Sequence, residues 1–353
     1  MNHLLRILTA CSHIRMVGLI AKNKLASKAP AIFCSVVALG MATVTQASTK
    51  CLEVEVIKPE RMYSGTTAFI DNSGSSSKII ECDAQGNTVW EYEIPAKIQP
   101  DIGFTNDLEW LPGQDHFLFT SRGRGIFEVD RSKTIVWSYA TSKVSHDADR
   151  LPNGNTLFAW GGDSDSDAQF TEITPQGNVV WQWFGKQHLS GEKRYDLFPG
   201  RKEPYSYTHA NAVIRLPSGN TLISLRNFHM VLELAPDGNI AWKLGGLERV
   251  HDPYLLPNDN MFVSLLIKPF YHPVREVTRS GEIVWEYFQP DLMAVTTIAV
   301  LPNGNILLAG QNKIVEVTRD KEVVWRAILP GVNPQFEYQQ KHFYKVVRIP
   351  TQR

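Results

Sequence analysis

An internal repeat constrains the fold of this 353-residue chain more than any other sequence feature. A Leu-Pro-x-Gly-Asn turn signal, a β-rich run and a Gly-x-φ-φ-Trp segment, in which φ is apolar, follow one another several times. The turn signal reads LPNGN at 151–155, LPSGN at 216–220, LPNDN at 256–260 and LPNGN at 301–305, and a looser copy opens at Leu111. Six tryptophans mark the ends of the units: Trp90, Trp137, Trp181, Trp242, Trp285 and Trp325. The chain therefore contains six copies of one structural unit.

Each unit has the pattern of four short antiparallel strands. The Pro-x-Gly-Asn residues favour a tight turn after the first strand, and Asp-Gly or Gln-Gly pairs favour another turn before the last strand. Four-stranded units repeated around an axis form a β-propeller, in which each unit is one blade. The sequence thus predicts an all-β fold, a six-bladed β-propeller of four-stranded blades that spans residues 48–353 as one domain.

The two ends of the chain predict how the ring closes. Residues 342–350, HFYKVVRIP, align without a gap on residues 209–217, HANAVIRLP, yet no tryptophan segment follows them. Residues 63–90 contain the later strands of a unit and lack a matching first strand. We therefore expect the N- and C-terminal strands to pair in one blade, because such pairing removes the exposed edges of an open ring.

Residues 1–47 have the pattern of a secretory signal peptide. Positive charges precede an apolar stretch over 29–44, and small residues up to Ala47 suit cleavage before Ser48. The apolar stretch of about 16 residues is shorter than the roughly 20 that cross a bilayer as a helix. We expect a periplasmic or secreted protein with no membrane span after the signal is cleaved.

Two cysteines remain after such cleavage, Cys51 and Cys82, in a protein delivered to an oxidising compartment. One disulfide between them would tie the N-terminal segment to the first sheet. Two free, buried thiols are the alternative, and the sequence leaves both open.

The charge distribution argues against nucleic acid as a partner. Lys and Arg together number 36, as do Asp and Glu, but five basic residues and no acidic ones lie in the first 47 positions. The remaining body is mildly acidic. A nucleic-acid surface needs clustered Lys and Arg that replace the counterions around phosphates.

Polar residues recur where the first strand of each blade begins. Six residues before the proline of each blade lies a side chain that can form hydrogen bonds: Asn106, His146, Asn211, His251, Thr296 and Tyr344. Eight residues before the proline, two blades add His209 and His342. The loops that enter the inner strands line one mouth of a propeller channel, where ligand sites are usually built. A ring of solvated polar groups is the alternative interpretation.

The predicted hairpin after 216–220 adds Arg226 to this group. If Leu216 faces Thr221 across the tight turn, antiparallel pairing places Arg226 opposite Asn211. The Arg226 guanidinium would then reach the same mouth as His209. The same arithmetic places Gly161 opposite His146, where a small residue leaves space for a ligand. Imidazoles with Arg, Asn and Thr around one cavity suit an anion that has several oxygens.

A metal centre is the less favoured interpretation of the histidines, because it would usually require carboxylate or cysteine partners in the ring. Asp147 and Asp252 follow His146 and His251, but successive residues of a strand point to opposite sides. We therefore predict no metal and no cofactor.

The chain resembles the bacterial arylsulfate sulfotransferases, periplasmic six-bladed propellers that move a sulfuryl group between phenols without a nucleotide sulfate donor. The resemblance covers the chain from about Tyr63 to its end. Its most specific piece is His209-Ala-Asn211, followed by the LPSGN turn and by Ser224-Leu-Arg226, which resembles the His-x-Asn and Ser-x-Arg pair of the family. One departure is Val295, which stands where the family has a basic residue beside the threonine.

The resemblance implies that His251 is the catalytic histidine that becomes transiently sulfurylated. It also assigns the matching residues: His146, His209 and Arg226 would surround the sulfuryl oxygens, Asn211 would orient them, and Thr296 would contact the phenol. The substrates would be small phenols and aryl sulfates. A non-catalytic periplasmic propeller that binds aromatic anions or acts as a scaffold remains the alternative.

Three weaker signals leave alternatives open. Asp163-Ser-Asp165-Ser-Asp167 has the opening of a calcium loop but lacks its glycine and closing glutamate, which favours a solvated acidic loop. Residues 187–207 form the longest insertion between blades, either a lid over the substrate or a segment packed on the rim. Four histidines lie outside the ring register and are expected to be ordinary surface or core residues: His116, His188, His229 and His272.

Overall fold

The structure, a computed structural model, describes residues 49–100, 106–195, 206–267, 271–331 and 344–351. The first strands in chain order are β1 (Glu53–Ile57), β2 (Gly65–Asp71), β3 (Lys78–Cys82), β4 (Thr88–Glu93), β5 (Leu108–Leu111), β6 (His116–Ser121), β7 (Gly125–Val129), β8 (Ile135–Ala140), β9 (Ala148–Arg150), β10 (Thr156–Ala159), β11 (Phe170–Ile173) and β12 (Val179–Trp183). The later strands are β13 (Ala210–Arg215), β14 (Thr221–Leu225), β15 (Met230–Leu234), β16 (Ile240–Leu244), β17 (Tyr254–Leu255), β18 (Met261–Ser264), β19 (Val274–Val277), β20 (Ile283–Tyr287), β21 (Val295–Val300), β22 (Ile306–Gly310), β23 (Lys313–Val317), β24 (Val323–Ile328) and β25 (Val346–Pro350). Short helices are α1 (Gly185–His188) and the 3-10 turns Ala96–Ile98 and Arg226–Phe228.

These strands form six antiparallel sheets, which are the blades. The first blade has the order β25-β2-β3-β4. The second, third, fourth and fifth blades are β5 to β8, β9 to β12, β13 to β16 and β17 to β20, each in sequence order. The sixth blade is β21 to β24, with β1 added outside β24. The predicted fold, an all-β six-bladed propeller of four-stranded blades, is confirmed.

The repeated turn signal forms the tight turn between the first two strands of a blade. In the third blade the Leu151 N–H donates to the Asn155 carbonyl at 2.8 Å, and the Gly154 N–H donates to the Leu151 carbonyl at 2.8 Å. Gly154 has φ +85°, a left-handed conformation that favours glycine. In the fifth blade Asp259 takes this position with φ +66°, which a short polar side chain tolerates.

Ring closure follows the prediction and adds one strand to it. The C-terminal β25 pairs with β2, and Gly65 lies opposite Pro350 in this pairing. The N-terminal β1 pairs with β24 of the last blade, an outer strand that the repeat pattern does not predict. Cys51 and Cys82 form a disulfide that joins the segment before β1 to the first blade. Of the two alternatives that the sequence left open, a disulfide or two free thiols, the structure therefore shows the disulfide.

The hydrophobic core lies between neighbouring blades, and each blade contributes a tryptophan indole to this space. The indole N–H donates to a backbone carbonyl of the turn before the last strand of the next blade. The pairs are Trp90 with Arg131 (3.1 Å), Trp137 with Pro175 (2.8 Å), Trp183 with Gly238 (3.1 Å), Trp242 with Arg279 (3.3 Å), Trp285 with Arg319 (2.8 Å) and Trp325 with Ala84 (2.9 Å). In the third blade this role belongs to Trp183 and not to the repeat residue Trp181. The last pair joins the sixth blade to the first and completes the ring.

A second contact accompanies each repeat tryptophan. A glutamate on the third strand lies opposite the tryptophan, and an arginine of the next blade lies over the indole and forms an ion pair with that glutamate. The six sets are Trp90–Arg131–Glu81, Trp137–Arg150–Glu128, Trp181–Arg215–Glu172, Trp242–Arg279–Glu233, Trp285–Arg319–Glu276 and Trp325–Arg348–Glu316. We call each set a Trp–Arg–Glu clamp. The clamps link every blade to the next through a cation–π contact and a charge pair.

Candidate functional site

The six polar residues predicted for the ring all lie at or just before the first strand of their blades. All are buried, with exposed fractions between 0% and 8%: Asn106, His146, Asn211, His251, Thr296 and Tyr344. His209, which directly precedes β13, is 5% exposed. The last predicted member, His342, lies outside the described residues.

Side chains from four blades meet at this end of the channel. The imidazole of His146 lies edge-on to that of His209, with ring centroids 4.8 Å apart, and 5.5 Å from the ring of Tyr344. Arg226 contacts His209, with 2.7 Å between Nη1 and Nε2. The Thr296 hydroxyl donates to the Tyr344 carbonyl at 2.5 Å. The third, fourth, first and sixth blades thus contribute to one cluster.

His251 joins the cluster through the fifth blade. The Asn211 side-chain amide donates to the carbonyl of Val250, the residue before His251, at 3.0 Å. Charged Arg226 and the imidazoles of His146 and His209 are close enough to interact electrostatically with His251. We call the group His146, His209, Arg226 and His251 the histidine cluster. Asn211 therefore links the backbones of the two blades that hold His209 and His251.

Hydrogen-bond partners fix the tautomers of two imidazoles. The Nδ1 of His251 lies 3.0 Å from the Arg249 carbonyl, which can only accept. Nδ1 therefore carries the proton, and in the neutral ring Nε2 keeps its lone pair. The Nε2 of His209 faces the guanidinium of Arg226, which can only donate, so His209 carries its proton on Nδ1, 3.0 Å from the Ser206 hydroxyl.

Burial and neighbouring positive charge keep the imidazoles of the cluster neutral. Burial and then the Arg226 guanidinium lower the pKa of His251 to about 3. Burial and Arg226 also hold the pKa of His209 well below its usual value. For His146 burial acts first and the Arg122 guanidinium second, again lowering the pKa well below 6.5. At neutral pH the cluster therefore contains neutral imidazoles beside one permanent cation, Arg226.

Two asparagines of the polar ring have polar atoms with no partner among the described residues. Both side-chain polar atoms of Asn106 and the Oδ1 of Asn211 are buried and form no hydrogen bond there. Buried polar groups are nearly always satisfied, so such atoms are available to a ligand in the channel mouth.

The predicted pairing of Arg226 with Asn211 is wrong by two residues. The hairpin pairs one residue away from the predicted register, with Arg215 opposite Thr221, and a bulge at Asn211 shifts the pairing by one residue more. The Arg226 N–H donates instead to the His209 carbonyl at 3.3 Å. The guanidinium still reaches His209, as the sequence predicted.

The predicted ligand space at Gly161 is also wrong. Gly161 lies against His146, as the sequence predicted, but a Cβ at this position would lie 2.3 Å from His146 Nδ1. The imidazole itself fills the space that glycine leaves. The Gly161 N–H donates to the Ser145 hydroxyl at 2.9 Å, and this hydroxyl lies 2.6 Å from His146 Nδ1, so the close approach fixes the imidazole.

The acidic segment that resembles a calcium loop instead supports His209. One carboxylate oxygen of Asp163 accepts the backbone N–H and the hydroxyl of Thr208, both at 2.8 Å, and the other accepts the His209 N–H at 3.1 Å. These bonds hold His209 at φ +50°, an uncommon conformation for this residue type. Asp165 and Asp167 pair with Lys186 and Lys143 at the surface.

A charged layer that the sequence analysis missed lies next to the cluster. Lys345 follows Tyr344, and its Nζ lies 2.5 Å from Asp252 and 4.0 Å from Asp147. The signal in the sequence is the repeated doublet of a ring residue and an aspartate: Asn106-Asp107, His146-Asp147 and His251-Asp252. The sequence analysis considered these aspartates only as possible metal ligands, so it gave no reason to look for a lysine among them.

Among the described residues, no group of three or more His, Cys, Asp or Glu is arranged to hold a metal ion. No helix in the same residues is long and apolar enough to cross a membrane.

Comparison with solved structures adds information about the fold. A protein of unknown function from Bacteroides caccae shares 18% identity at a TM-score of 0.55, covering 81% of this chain and 99% of that one. A virginiamycin B lyase from Staphylococcus aureus shares 14% identity at a TM-score of 0.49, covering 80% of this chain and 89% of that one. At 18% identity the likeness to the Bacteroides caccae protein concerns the fold alone.

A search of curated proteins gives no match. The family model of the arylsulfotransferases (ASST) matches residues 53–289. This span runs from β1 through the fifth blade and includes His146, His209, Arg226 and His251. Because the match covers more than half of the sequence, the chain belongs to the arylsulfotransferase family.

Proposed function

We propose that this protein transfers a sulfuryl group from an aryl sulfate to a phenol through a transiently sulfurylated His251. The observation that carries the proposal is the state of His251, a neutral imidazole whose Nδ1 is held by the Arg249 carbonyl and whose Nε2 keeps its lone pair. Family membership supports the class of substrate. We also propose that the protein acts in the periplasm or outside the cell, in line with the pattern of residues 1–47.

In the first half-reaction the Nε2 lone pair of His251 attacks the sulfur of the aryl sulfate. An N–S bond forms, the S–O bond to the aryl group breaks, and the phenolate leaves with the electron pair. The Nδ1–H bond to the Arg249 carbonyl stabilises the positive charge that the imidazole ring gains. Phenolate departs without a preceding proton transfer because its charge is delocalised over the ring.

Positive groups around the sulfur stabilise the negative charge of the transition state. Arg226, oriented by its 2.7 Å contact with His209, is a permanent donor to the sulfuryl oxygens. The side-chain N–H group of Asn106, which has no partner among the described residues, can donate a further hydrogen bond to a sulfuryl oxygen. The Oδ1 of Asn211 can only accept, so it would accept from the hydroxyl of the acceptor phenol. Thr296 and Tyr344, joined by their own hydrogen bond, contact the aryl portion of the substrate. In a loose transition state, negative charge spreads over the oxygens of the transferred group and the leaving phenolate, and positioned donors of this kind stabilise it.

In the second half-reaction an acceptor phenol replaces the departed product. Its oxygen attacks the sulfur, the N–S bond breaks, and the electron pair returns to Nε2 of His251. The phenol proton passes to the neutral imidazole of His146 as the new O–S bond forms. Because burial and Arg122 hold the pKa of His146 well below its usual value, His146 then releases this proton to water and its imidazole becomes neutral again.

The test uses the purified protein with 4-nitrophenyl sulfate as donor, phenol as acceptor and nitrophenol release as the signal. We expect His251→Ala to lower turnover by at least about a thousandfold, as loss of a covalent nucleophile does. The matched control is His188→Ala, which removes a histidine that stacks on Trp183 outside the ring. Mass spectrometry of the wild type quenched without acceptor should find one sulfuryl group on the peptide that contains His251.

Two outcomes would contradict the proposal. Turnover that persists in His251→Ala would remove His251 from the nucleophilic role. A wild-type protein that binds the aryl sulfate but never releases nitrophenol would instead favour a non-catalytic propeller that binds aromatic anions.

A further inference from the structure

A lysine and three aspartates from four blades form a charged layer in the propeller channel, directly after the ring residues in sequence. The aspartates are Asp107, Asp147 and Asp252 of the second, third and fifth blades, and the lysine is Lys345 of the first. All are strongly shielded from solvent: the exposed side-chain fractions are 14% for Lys345, 6% for Asp147 and 11% for Asp252. We call this group the channel layer.

Each aspartate of the channel layer binds the first strand of the following blade. The Oδ2 atoms of Asp107, Asp147 and Asp252 accept backbone N–H groups of Ala148 (3.0 Å), Val213 (2.7 Å) and Ile298 (2.9 Å), respectively. Because these acceptors bridge neighbouring inner strands, they set the spacing of the residues at the channel mouth. Thr297 has the same role in the sixth blade, where its hydroxyl accepts the Val346 N–H at 3.1 Å.

Lys345 supplies the positive charge that these carboxylates need. Its Nζ lies 2.5 Å from Oδ1 of Asp252 and 4.0 Å from Oδ1 of Asp147, the oxygens that do not bridge the blades. Burial lowers the pKa of the Lys345 ammonium, but Asp252, Asp147 and Asp107 outweigh burial and raise it well above its usual value. The lysine therefore remains charged. From the first blade it attracts the carboxylates of Asp147 in the third blade and Asp252 in the fifth.

His146 and His251 each lie one residue before an aspartate that contacts Lys345. A carboxylate that moves or takes up a proton would therefore displace the backbone next to an imidazole of the cluster. A displacement of about 1 Å costs as much as a hundredfold in rate when the geometry of attack is disturbed.

We propose that Lys345 is a positioning residue for His146 and His251, which it holds at the channel mouth through the carboxylates of Asp147 and Asp252. The catalytic part of this inference rests on the proposed function, whereas its structural part concerns the imidazoles alone. Lys345 directly precedes β25, the strand that closes the ring. Pairing of β25 with β2 therefore places the Lys345 ammonium beside the aspartates of the channel layer.

The electrostatic surroundings of the two imidazoles support this assignment. Besides the adjacent aspartates, the charged and titratable groups that act on His251 are Arg226, Lys345 and His272, and those that act on His146 are Arg122, His251, Arg226 and Lys345. Lys345 opposes protonation of both imidazoles. Its removal should therefore raise both pKa values, because the carboxylates of Asp147 and Asp252 would lose their counter-charge.

The test compares Lys345→Met, which keeps the length of the side chain and removes its charge, with Lys345→Arg, which keeps the charge. The first readout is the NMR titration of the His146 and His251 Cε1–H resonances, assigned through His→Gln variants. The second is kcat and KM for 4-nitrophenyl sulfate. The matched control is Lys313→Met, another shielded lysine, whose side chain is 11% exposed and lies 4.0 Å from Asp291.

We expect Lys345→Met to raise the pKa of both imidazoles toward that of free histidine and to lower kcat by about 10- to 100-fold with little change in KM. Lys345→Arg should restore most of kcat and the wild-type titration. If Lys345→Met does not fold, Lys345→Met with Asp252→Asn removes both partners of the closest pair and serves in its place. The loss of kcat should persist in this double variant, because the link between blades is still missing.

A folded Lys345→Met or double variant with wild-type kcat would overturn the proposal, as would unchanged imidazole titrations in Lys345→Met. A wild type without aryl sulfate turnover would contradict the proposed function only. In that event the NMR titration still decides whether the Lys345 charge acts on the two imidazoles.

Discussion

The imidazoles of the cluster differ from ordinary histidines because protonation is unfavourable where they lie. His251 is 8% exposed, and burial together with Arg226 lowers its pKa to about 3. A nucleophile that stays neutral over the working pH range keeps its lone pair available at all times. The same environment that supports attack on sulfur therefore makes folding sensitive to acid.

The pH dependence of stability follows from this shift. In the unfolded chain His251 takes up a proton below its ordinary pKa of about 6.5, while in the folded protein it stays neutral down to about 3. The unfolded state thus binds more protons between these values, and stability is lost as the pH falls from 6.5 toward 3. At pH 5 the loss due to His251 is about 2 kcal/mol.

Urea unfolding at pH 7.5, 6, 5 and 4.5 measures this dependence. We expect His251→Gln to reduce the loss of unfolding free energy between pH 7.5 and 5 by about 2 kcal/mol relative to the wild type. Equal losses in the two proteins would show that His251 titrates normally in the folded state.

The ring positions could be predicted from the sequence because each lies at a fixed distance from a proline in a repeated turn. What could not be predicted depends on local deviations from that repeat. Arg226 meets His209 because the hairpin pairs one residue away from the predicted register and the bulge at Asn211 adds one residue more, and no residue type indicates either shift. Lys345 was missed because its partners, Asp147 and Asp252, come from blades remote in sequence.

At the scale of the strand and blade, the Trp–Arg–Glu clamp is the repeating contact. The repeat pattern located one tryptophan in each unit, and the structure shows the arginine and glutamate that accompany it. Their contacts join one blade to the next, so periodicity within a single blade does not reveal them. The clamp at ring closure, Trp325–Arg348–Glu316, is the most deeply buried, with the Arg348 and Glu316 side chains 1% and 0% exposed.

Removal of one partner from this clamp should be costly. Glu316 also accepts hydrogen bonds from the Tyr63 N–H at 2.6 Å and from the Asn305 amide at 2.7 Å, so the carboxylate is fixed in place. Arg348→Met leaves this buried charge without its counter-charge, and we expect a loss of about 3–5 kcal/mol in the free energy of unfolding.

The double variant Arg348→Met with Glu316→Gln provides the matched comparison. Glutamine keeps an acceptor for Tyr63 and Asn305 and removes the charge, so most of the lost stability should return. Urea unfolding of the wild type, the single variant and the double variant measures both effects. A double variant as unstable as the single one would show that Arg348 acts by packing on Trp325 and not through its charge.

At the scale of the whole molecule, ring closure and the histidine cluster depend on the same segments. Tyr344 and Lys345 precede β25, the strand that completes the first blade. On the other side of the closure, β1 covers the outer edge of the sixth blade and buries Val324 and Trp325 completely. The equivalent Val284 of the fifth blade, whose outer edge pairs with no further strand in the part of the chain that the structure describes, is 48% exposed. The C-terminal strand β25 therefore forms the inner strand of the first blade, and the N-terminal strand β1 forms the outer strand of the sixth blade.

The disulfide adds a covalent link to this closure. Cys51 and Cys82 are 31 residues apart in sequence, and their bond restricts the unfolded chain over that loop. We expect the variant Cys51→Ala with Cys82→Ala to lose about 3–4 kcal/mol in the free energy of unfolding. Urea unfolding with and without dithiothreitol measures the effect, because the reductant should destabilise the wild type and leave the double variant unchanged. Equal urea midpoints for the oxidised wild type and the double variant would show that β1 and β25 hold the ring closed without the covalent bond.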